Sequence, residues 1–254
     1  NRTGKFIQKV YIKNYVNLLR ELLYFAVYNQ LRAGNFALQH FVKLLGSQII
    51  FREDSVLTIT HKGTVVLETE RLILRRFTID DLEPVFNNCW SKPEVWQWTN
   101  YKPMKTTEDV VKTAEMFTEE WLGAYSRPNR YSWAIQLKAS GDVIGRFFGM
   151  HPEDRLKQIE LAYEIGPDWW NQGYMTEAVK RVLDYFFREI GFNRVYAYHA
   201  HENPASGRVM QKCGMLYEGT MRQACLCNRG IFDKVNYAIL AEDYFGRQKM
   251  EKDD

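Results

Sequence analysis

The stretch from Glu160 to Lys180, ELAYEIGPDWWNQGYMTEAVK, constrains the fold more than any other part of the chain. Apolar and polar residues alternate up to Ile165-Gly166, the period of a strand, and after Gly173 they recur at helical spacing. A strand end, a tight connection through Asn171, Gln172 and Gly173, and a helix N-terminus therefore follow one another directly. The first N–H groups of a helix have no intrahelical acceptor, and the helix dipole adds positive potential there. Gly173 lets the backbone approach an anion closely, or take an angle that a Cβ forbids. Thr176 adds a hydroxyl donor. A pyrophosphate is well accommodated at such a junction. The same spacing also fits an ordinary strand-to-helix turn, and a single glycine does not separate the two.

The alternation of strands and helices extends over the whole span from 66 to 244. Val65 to Phe77 is expected as a strand, and Thr78 as the N-cap of a short helix through Phe86. A polar, tryptophan-rich loop, Cys89 to Lys105, leads into a second helix expected from Thr106 or Thr107 to about Tyr125. Strands are predicted at Tyr131 to Leu137, Val143 to Met150 and Gln158 to Ile165, with turns at Gly141-Asp142 and at 152–157. A long helix from about Gly173 to Glu189, a strand Arg194 to Ala200, a helix Ala205 to Cys213 and strands Leu216 to Leu226 and Phe232 to Leu240 complete the set. The order β-α-α-β-β-β-α-β-α-β-β is that of a mixed α/β domain. Residues 245–254 read as a charged C-terminal tail.

A second segment carries chemistry. His199 to Gly214 reads HAHENPASGRVMQKCG. Asn203-Pro204 enters a short helix bearing Ser206, Arg208 and Lys212, and Gly214 suits its C-terminal cap. Asn203 at the N-cap can bond either the backbone or a ligand.

Composition excludes several classes. The chain has 254 residues, 46% of them hydrophobic, and a formal net charge of +3. That charge is too small to argue for a nucleic-acid binder, which usually shows a clustered basic face, so no nucleic acid is expected as a partner. Four cysteines make no disulfide framework and point to a reducing, cytoplasmic compartment. The longest apolar stretch, Leu22 to Tyr28, is far short of the roughly 20 residues of a membrane-spanning helix, and no secretory signal is visible. Cys225-x-Cys227 and His199-x-His201 each turn two ligating side chains to one strand face, but a metal site needs three or four, so no metal is expected.

Residues 1–60 differ in character. Eight basic side chains (Arg2, Lys5, Lys9, Lys13, Arg20, Arg32, Lys43, Arg52) stand against three acids (Glu21, Glu53, Asp54). Tyr15, Leu18, Leu19, Leu22, Leu23 and Ala26 repeat at helical spacing, and Gly34-Asn35 separates a second, weaker repeat. This is expected to be a helical hairpin whose apolar stripe packs on the main domain or on a second copy in a homodimer. A different account starts from Arg52-Glu53-Asp54, which can be encoded as AGG-GAG-GAT, resembling a ribosome-binding site. Translation would then begin near Val56 or Leu57, and the hairpin would be a non-native start.

The motifs together resemble the RimJ/RimL branch of the GCN5-related N-acetyltransferases (GNAT). The resemblance runs from Glu68 to Tyr244, through ETERLILRRFTIDDLEPVF, IELAYEIG, WWNQGYMTEAVK, ENPASGRVMQKCGM and YEGTMRQ...DKVNYAIL. It implies the GNAT fold, a mixed, mostly antiparallel seven-stranded sheet with a splayed central strand pair and flanking helices. It implies acetyl-CoA as cosubstrate and an amine acceptor, either a small molecule or a protein N-terminus.

Carried onto this sequence, the splayed strand is Glu160 to Gly166, with backbone groups near Ile165 exposed to pantetheine. The pyrophosphate would rest on amides of Gln172, Gly173, Tyr174, Met175 and Thr176, beside Asn171. Asn203 would bond the pantetheine arm and Ser206 would lie near the thioester sulfur. Glu160 holds the family's usual glutamate position and is the first choice as general base, with Ser206 as donor to the leaving thiolate. The loop bearing Trp96, Trp98 and Tyr101 would wall the acceptor site, and His199 would help position the acceptor. Two departures stand out. Trp170 replaces the basic first position of the phosphate motif, and Cys225 stands where some members carry a glutamate. They leave open a second reading, a CoA-binding regulatory domain that does not catalyse.

Overall fold

A computed structural model describes residues 59–101 and 123–253, with Thr106, Asp109 and Lys112 between them. The expected N-terminal hairpin, the alternative start near Val56 and most of the helix after Thr106 lie outside the described residues.

One mixed sheet of eight strands organises the described chain, in the order β1-β2-β3-β4-β5-β6-β8-β7. The strands are β1 (Leu67–Glu68), β2 (Leu72–Arg75), β3 (Tyr131–Leu137), β4 (Val143–Glu153), β5 (Gln158–Ile165), β6 (Arg194–Ala200), β7 (Leu216–Cys227) and β8 (Gly230–Leu240). The eighth strand corrects the seven expected. It arises because the run read as one strand from Val65 is cut at Thr69, whose Oγ1 accepts the Leu72 amide at 2.9 Å while the Thr69 amide donates to Leu72 O at 3.0 Å. The chain folds back there, and β1 pairs antiparallel with β2.

The helices are α1 (Leu82–Val85), α2 (Pro93–Trp96), α3 (Tyr174–Tyr185), α4 (Pro204–Lys212) and α5 (Ala241–Asp253). Thr78 is the N-cap of a 3-10 turn, Ile79–Asp81, that leads into α1, and its amide and hydroxyl both donate to the Asp81 carboxylate, at 2.7 and 3.1 Å. α3 is followed by a wider π turn, Phe186–Ile190, closed by Gly191. The charged segment expected as a tail continues α5.

α3 buries Met175, Ala178, Val179, Val182 and Leu183, a stripe at three- and four-residue spacing. The stripe packs on Ile159 and Leu161 of β5 and Val195 and Ala197 of β6, and Tyr131, Trp133, Phe147 and Phe186 fill the same core. Burying each large apolar side chain contributes about 1.5–3 kcal/mol, so this face of the sheet is firmly clamped. A second cluster, Phe77, Leu82, Val85, Trp90 and Trp96, packs α1 and α2 on the β3–β4 end.

What positions the site is the relation of β5 to β6. They pair in parallel, but only Gln158, Ile159 and Glu160 find partners, in Arg194, Val195 and Tyr196. Beyond that point β5 stays on β4 and β6 stays on β8. The two strands part, leaving Leu161–Ile165 and Ala197–Ala200 on opposite edges of a wedge.

Candidate active site

The wedge has an unpaired edge whose polarity can be assigned. The Gly166 amide donates to Ile144 O at 2.8 Å, so alternate residues 164, 162 and 160 turn their backbone groups to β4. Leu161, Tyr163 and Ile165 turn theirs into the wedge. The Ile165 carbonyl there accepts the Trp170 indole N–H at 2.8 Å. Trp170 thus occupies the first position of the phosphate motif by capping the strand end, and leaves the motif's amides free of it.

The cradle begins beside the wedge. Asn171 (φ 58) and Gly173 (φ 83) are both left-handed, the conformation that glycine and asparagine tolerate best. Gly173 is the N-cap of α3, so the amides that follow open the helix without intrahelical acceptors. Met175 has its side chain in the core, so only its amide is available. Gln172 is tied by its own side chain, which donates to Asp168 O at 2.7 Å.

Arg71 braces this turn, and nothing in the sequence announces it. From the β1–β2 turn its Nη1 donates to Gln172 O at 3.0 Å, and its Nε and backbone amide donate to Glu177 at 2.7 and 2.9 Å. Its guanidinium lies 4.3 Å over the Tyr174 ring. Burial, the largest single influence on the Glu177 carboxyl, acts upward, but a hydrogen bond from Thr69 together with those from Arg71 holds it below the usual range.

Across the wedge, α4 presents Asn203 and Ser206. Asn203 Nδ2 donates to Ser206 Oγ at 3.1 Å. Tyr163 of β5 reaches over and donates its hydroxyl to Ser206 O at 3.2 Å. Burial pushes the Tyr163 phenol upward, so it stays protonated. Ser206 therefore sits where both strands' edges meet the helix.

The opposite sheet face carries Glu160. Its β-partners are Met150 and Tyr196. Burial, the largest influence, raises its carboxyl above the usual range, opposed by His151, Lys234 and a hydrogen bond from Tyr196. Glu164 shares that face but is otherwise engaged: Arg146 Nε lies 2.7 Å away and Trp90 Nε1 donates at 2.6 Å. Tyr198 lies under the Lys234 ammonium, 3.9 Å from its ring centroid. Burial pushes the Tyr198 phenol up to about 12, with Glu160 and Cys225 adding to the effect. Cys225, at the position of the absent glutamate, thus stands against Tyr198.

The tryptophan loop divides. Trp96 is 2% exposed and donates Nε1 to Trp90 O at 2.5 Å; its ring is core, beneath the wall and outside its surface. Trp98 packs with Ala200, Cys227, Phe232 and Tyr198 on the Glu160 side. Tyr101 is exposed. Asn228, in the β7–β8 turn, holds this loop down by donating to Trp96 O and Tyr101 O at 2.9 and 2.6 Å. That residue also carries no signal in the sequence.

His199 lies apart from the others. Strand parity puts it on the helix-covered face, where it stacks on Tyr237 at 5.7 Å and its Nδ1 is 2.7 Å from Ala200 O. A Cβ on Gly207 of α4 would stand 2.6 Å from its Nε2. Burial lowers its pKa, so the ring is a neutral packing element beneath α4. Cys213 is buried too, its thiol pushed up to about 12. Among the described residues no three His, Cys, Asp or Glu side chains converge as metal ligands, and no helix is long and apolar enough to cross a membrane.

Comparison with known proteins gives the family to which this geometry belongs. The Acetyltransferase (GNAT) domain family matches residues 71–216. The chain is 31% identical over 176 residues to the uncharacterized N-acetyltransferase YoaA of Bacillus subtilis (strain 168), covering 69% of this chain and 96% of that one. It is 29% identical to the uncharacterized N-acetyltransferase p20 of Bacillus licheniformis, covering 71% and 98%. The crystal structure of a GNAT-family acetyltransferase from Bacillus anthracis superposes with a TM-score of 0.59 at 26% identity, over 70% of this chain and 99% of that one. The chain therefore belongs to the GNAT family and is an N-acetyltransferase.

Proposed function

We propose that residues 66–244 bind acetyl-CoA in the β5–β6 wedge and transfer its acetyl group to a primary amine arriving on the Glu160 face. The observation that carries this reading is the parting of β5 from β6 directly beside the Gly173 turn. The strand edge can pair with an extended amide-bearing arm, and the helix N-terminus can hold a diphosphate. Asn203, at the N-cap of α4, would bond the arm.

Acetyl-CoA, when bound, supplies an activated thioester. Glu160 takes the proton of the acceptor ammonium, directly or through one water, which its raised pKa suits. The Ile165 amide donates to the acetyl oxygen as negative charge develops there. As the amine nitrogen bonds the acetyl carbon and the carbon–sulfur bond breaks, the nitrogen would lose its second proton to water, the departing thiolate would take a proton to leave as the CoA thiol, and the Ser206 hydroxyl would hydrogen-bond that sulfur. Tyr163 and Asn203 hold Ser206 in place. Trp98 and Tyr101 wall the acceptor side.

RimJ/RimL-like motifs favour either a protein N-terminus or a small amine as acceptor, in the cytoplasm, with a second copy of the chain as a candidate partner for residues 1–60. Incubation with acetyl-CoA and a panel of amines tests the reading. Release of CoA thiol with some acceptor is expected. Binding of acetyl-CoA with no turnover on any amine, peptide N-termini included, would leave the regulatory reading instead.

A further inference from the structure

The acceptor face carries two charges that its ion pairs do not match. On the β4–β5 side Glu164 is neutralised by Arg146, and at the start of β6 Arg194 is neutralised by Glu218. Glu160 on β5 and Lys234 on β8 remain. Among the described residues neither has an opposite charge within ion-pair distance, although each lies within electrostatic reach of the other. The register places both on one face. Glu160 aligns with Tyr196, and Tyr198 and Ala200 align with Asn236 and Lys234.

Lys234 is held in position by the Tyr198 ring, a contact that orients the ammonium without discharging it. The other groups near this pair do not replace its missing counter-ion. His151 approaches from β4, and Asn236 is neutral. Asp233 alternates to the far face, where its Oδ1 accepts the Gln223 amide. Arg229 is over Trp98, with Nη1 near Gln97. One negative and one positive side chain, neither in an ion pair among the described residues, therefore stand on the same face of the sheet.

We propose that Lys234 recognises a carboxylate of the acceptor while Glu160 receives its ammonium, so that the acceptor is an α-amino acid or an amine with a carboxylate close by. The proposal rests on the acetyl-transfer reading above and narrows its acceptor class. A polyamine would bring a second ammonium against Lys234. A peptide N-terminus would offer a neutral amide where the carboxylate belongs. A charge-assisted hydrogen bond to a carboxylate discriminates by about tenfold or more.

The test compares matched acceptors: an amino acid, its amide and its decarboxylated amine, for several side chains. CoA release is measured with wild type, Lys234→Arg and Lys234→Met, and kcat/KM is expressed per unprotonated amine. Wild type is expected to favour the amino acid over its amide by about tenfold, through KM. Lys234→Arg should keep the preference and Lys234→Met should bring the ratio close to one. A wild-type ratio of one or less, or a preference unchanged in Lys234→Met, overturns the proposal while CoA release leaves acetyl transfer standing. Failure of wild type to bind acetyl-CoA in calorimetry overturns both.

Discussion

Glu160 is raised above the ordinary glutamate range by burial, and its neighbours only partly oppose this. Folding therefore shifts Glu160 toward its protonated form relative to the unfolded chain. Its contribution to stability is present below the ordinary glutamate pKa and is lost as pH rises through the raised folded value. For catalysis the sign is opposite, because only the ionised form accepts a proton. The acid limb of kcat/KM should accordingly lie above the ordinary glutamate value, activity rising with pH through it. Glu160→Gln should lower kcat by about a hundredfold, abolish that limb in a pH profile, and leave acetyl-CoA binding by calorimetry unchanged. Persistence of the limb in the variant would move the base elsewhere. Arg71 makes the complementary case, since it touches the turn and not the acceptor face. Arg71→Met removes hydrogen bonds to Gln172 O and Glu177. It should raise KM for acetyl-CoA about tenfold with little change in kcat, read by steady-state kinetics with the acceptor saturating.

At the scale of elements, the agreement between sequence and structure follows how local the governing physics is. Tyr131–Leu137, Gln158–Ile165 and Arg194–Ala200 have the bounds their residue patterns indicate, because strong β-formers there are bounded by turn residues. The β1–β2 break was hidden because a single threonine hydroxyl makes it inside an otherwise regular strand pattern. His199 was expected beside the cleft from its place at a strand end. Its face follows from the pairing of β6 with β5 and β8, and that register is set by residues distant in sequence. The cradle was legible because a glycine and a helix start sit next to each other, whereas Arg71 and Glu177 are a nonlocal pair with no periodic signal. The packing of α4 on His199 gives a direct check. Gly207→Ala puts a methyl against the imidazole and should cost about 1–3 kcal/mol. Thermal denaturation should show a Tm lower by roughly 2–4 °C for each kcal/mol. An unchanged Tm would mean that α4 stands off the sheet.

For the molecule as a whole, the sheet works as a partition. Its α3–α4 face is closed by a continuous apolar core, and its other face holds Glu160, Tyr198 and Lys234. In the proposed reaction the wedge between β5 and β6 would be the passage through that partition, where a cofactor arm from one end would meet an amine from the other. Family, fold and cradle were readable in advance from motif order. The sharing of one face by Glu160 and Lys234, and the hold of Asn228 on the loop bearing Trp98, were not, because these residues come from four separate stretches and meet only when the sheet is assembled. The most direct measurement is amide hydrogen exchange with and without CoA. Slowed exchange is expected in peptides covering Tyr163–Ile165 and Gln172–Thr176, with Tyr131–Leu137 unaffected. CoA bound with no protection in either of the first two segments would contradict the account.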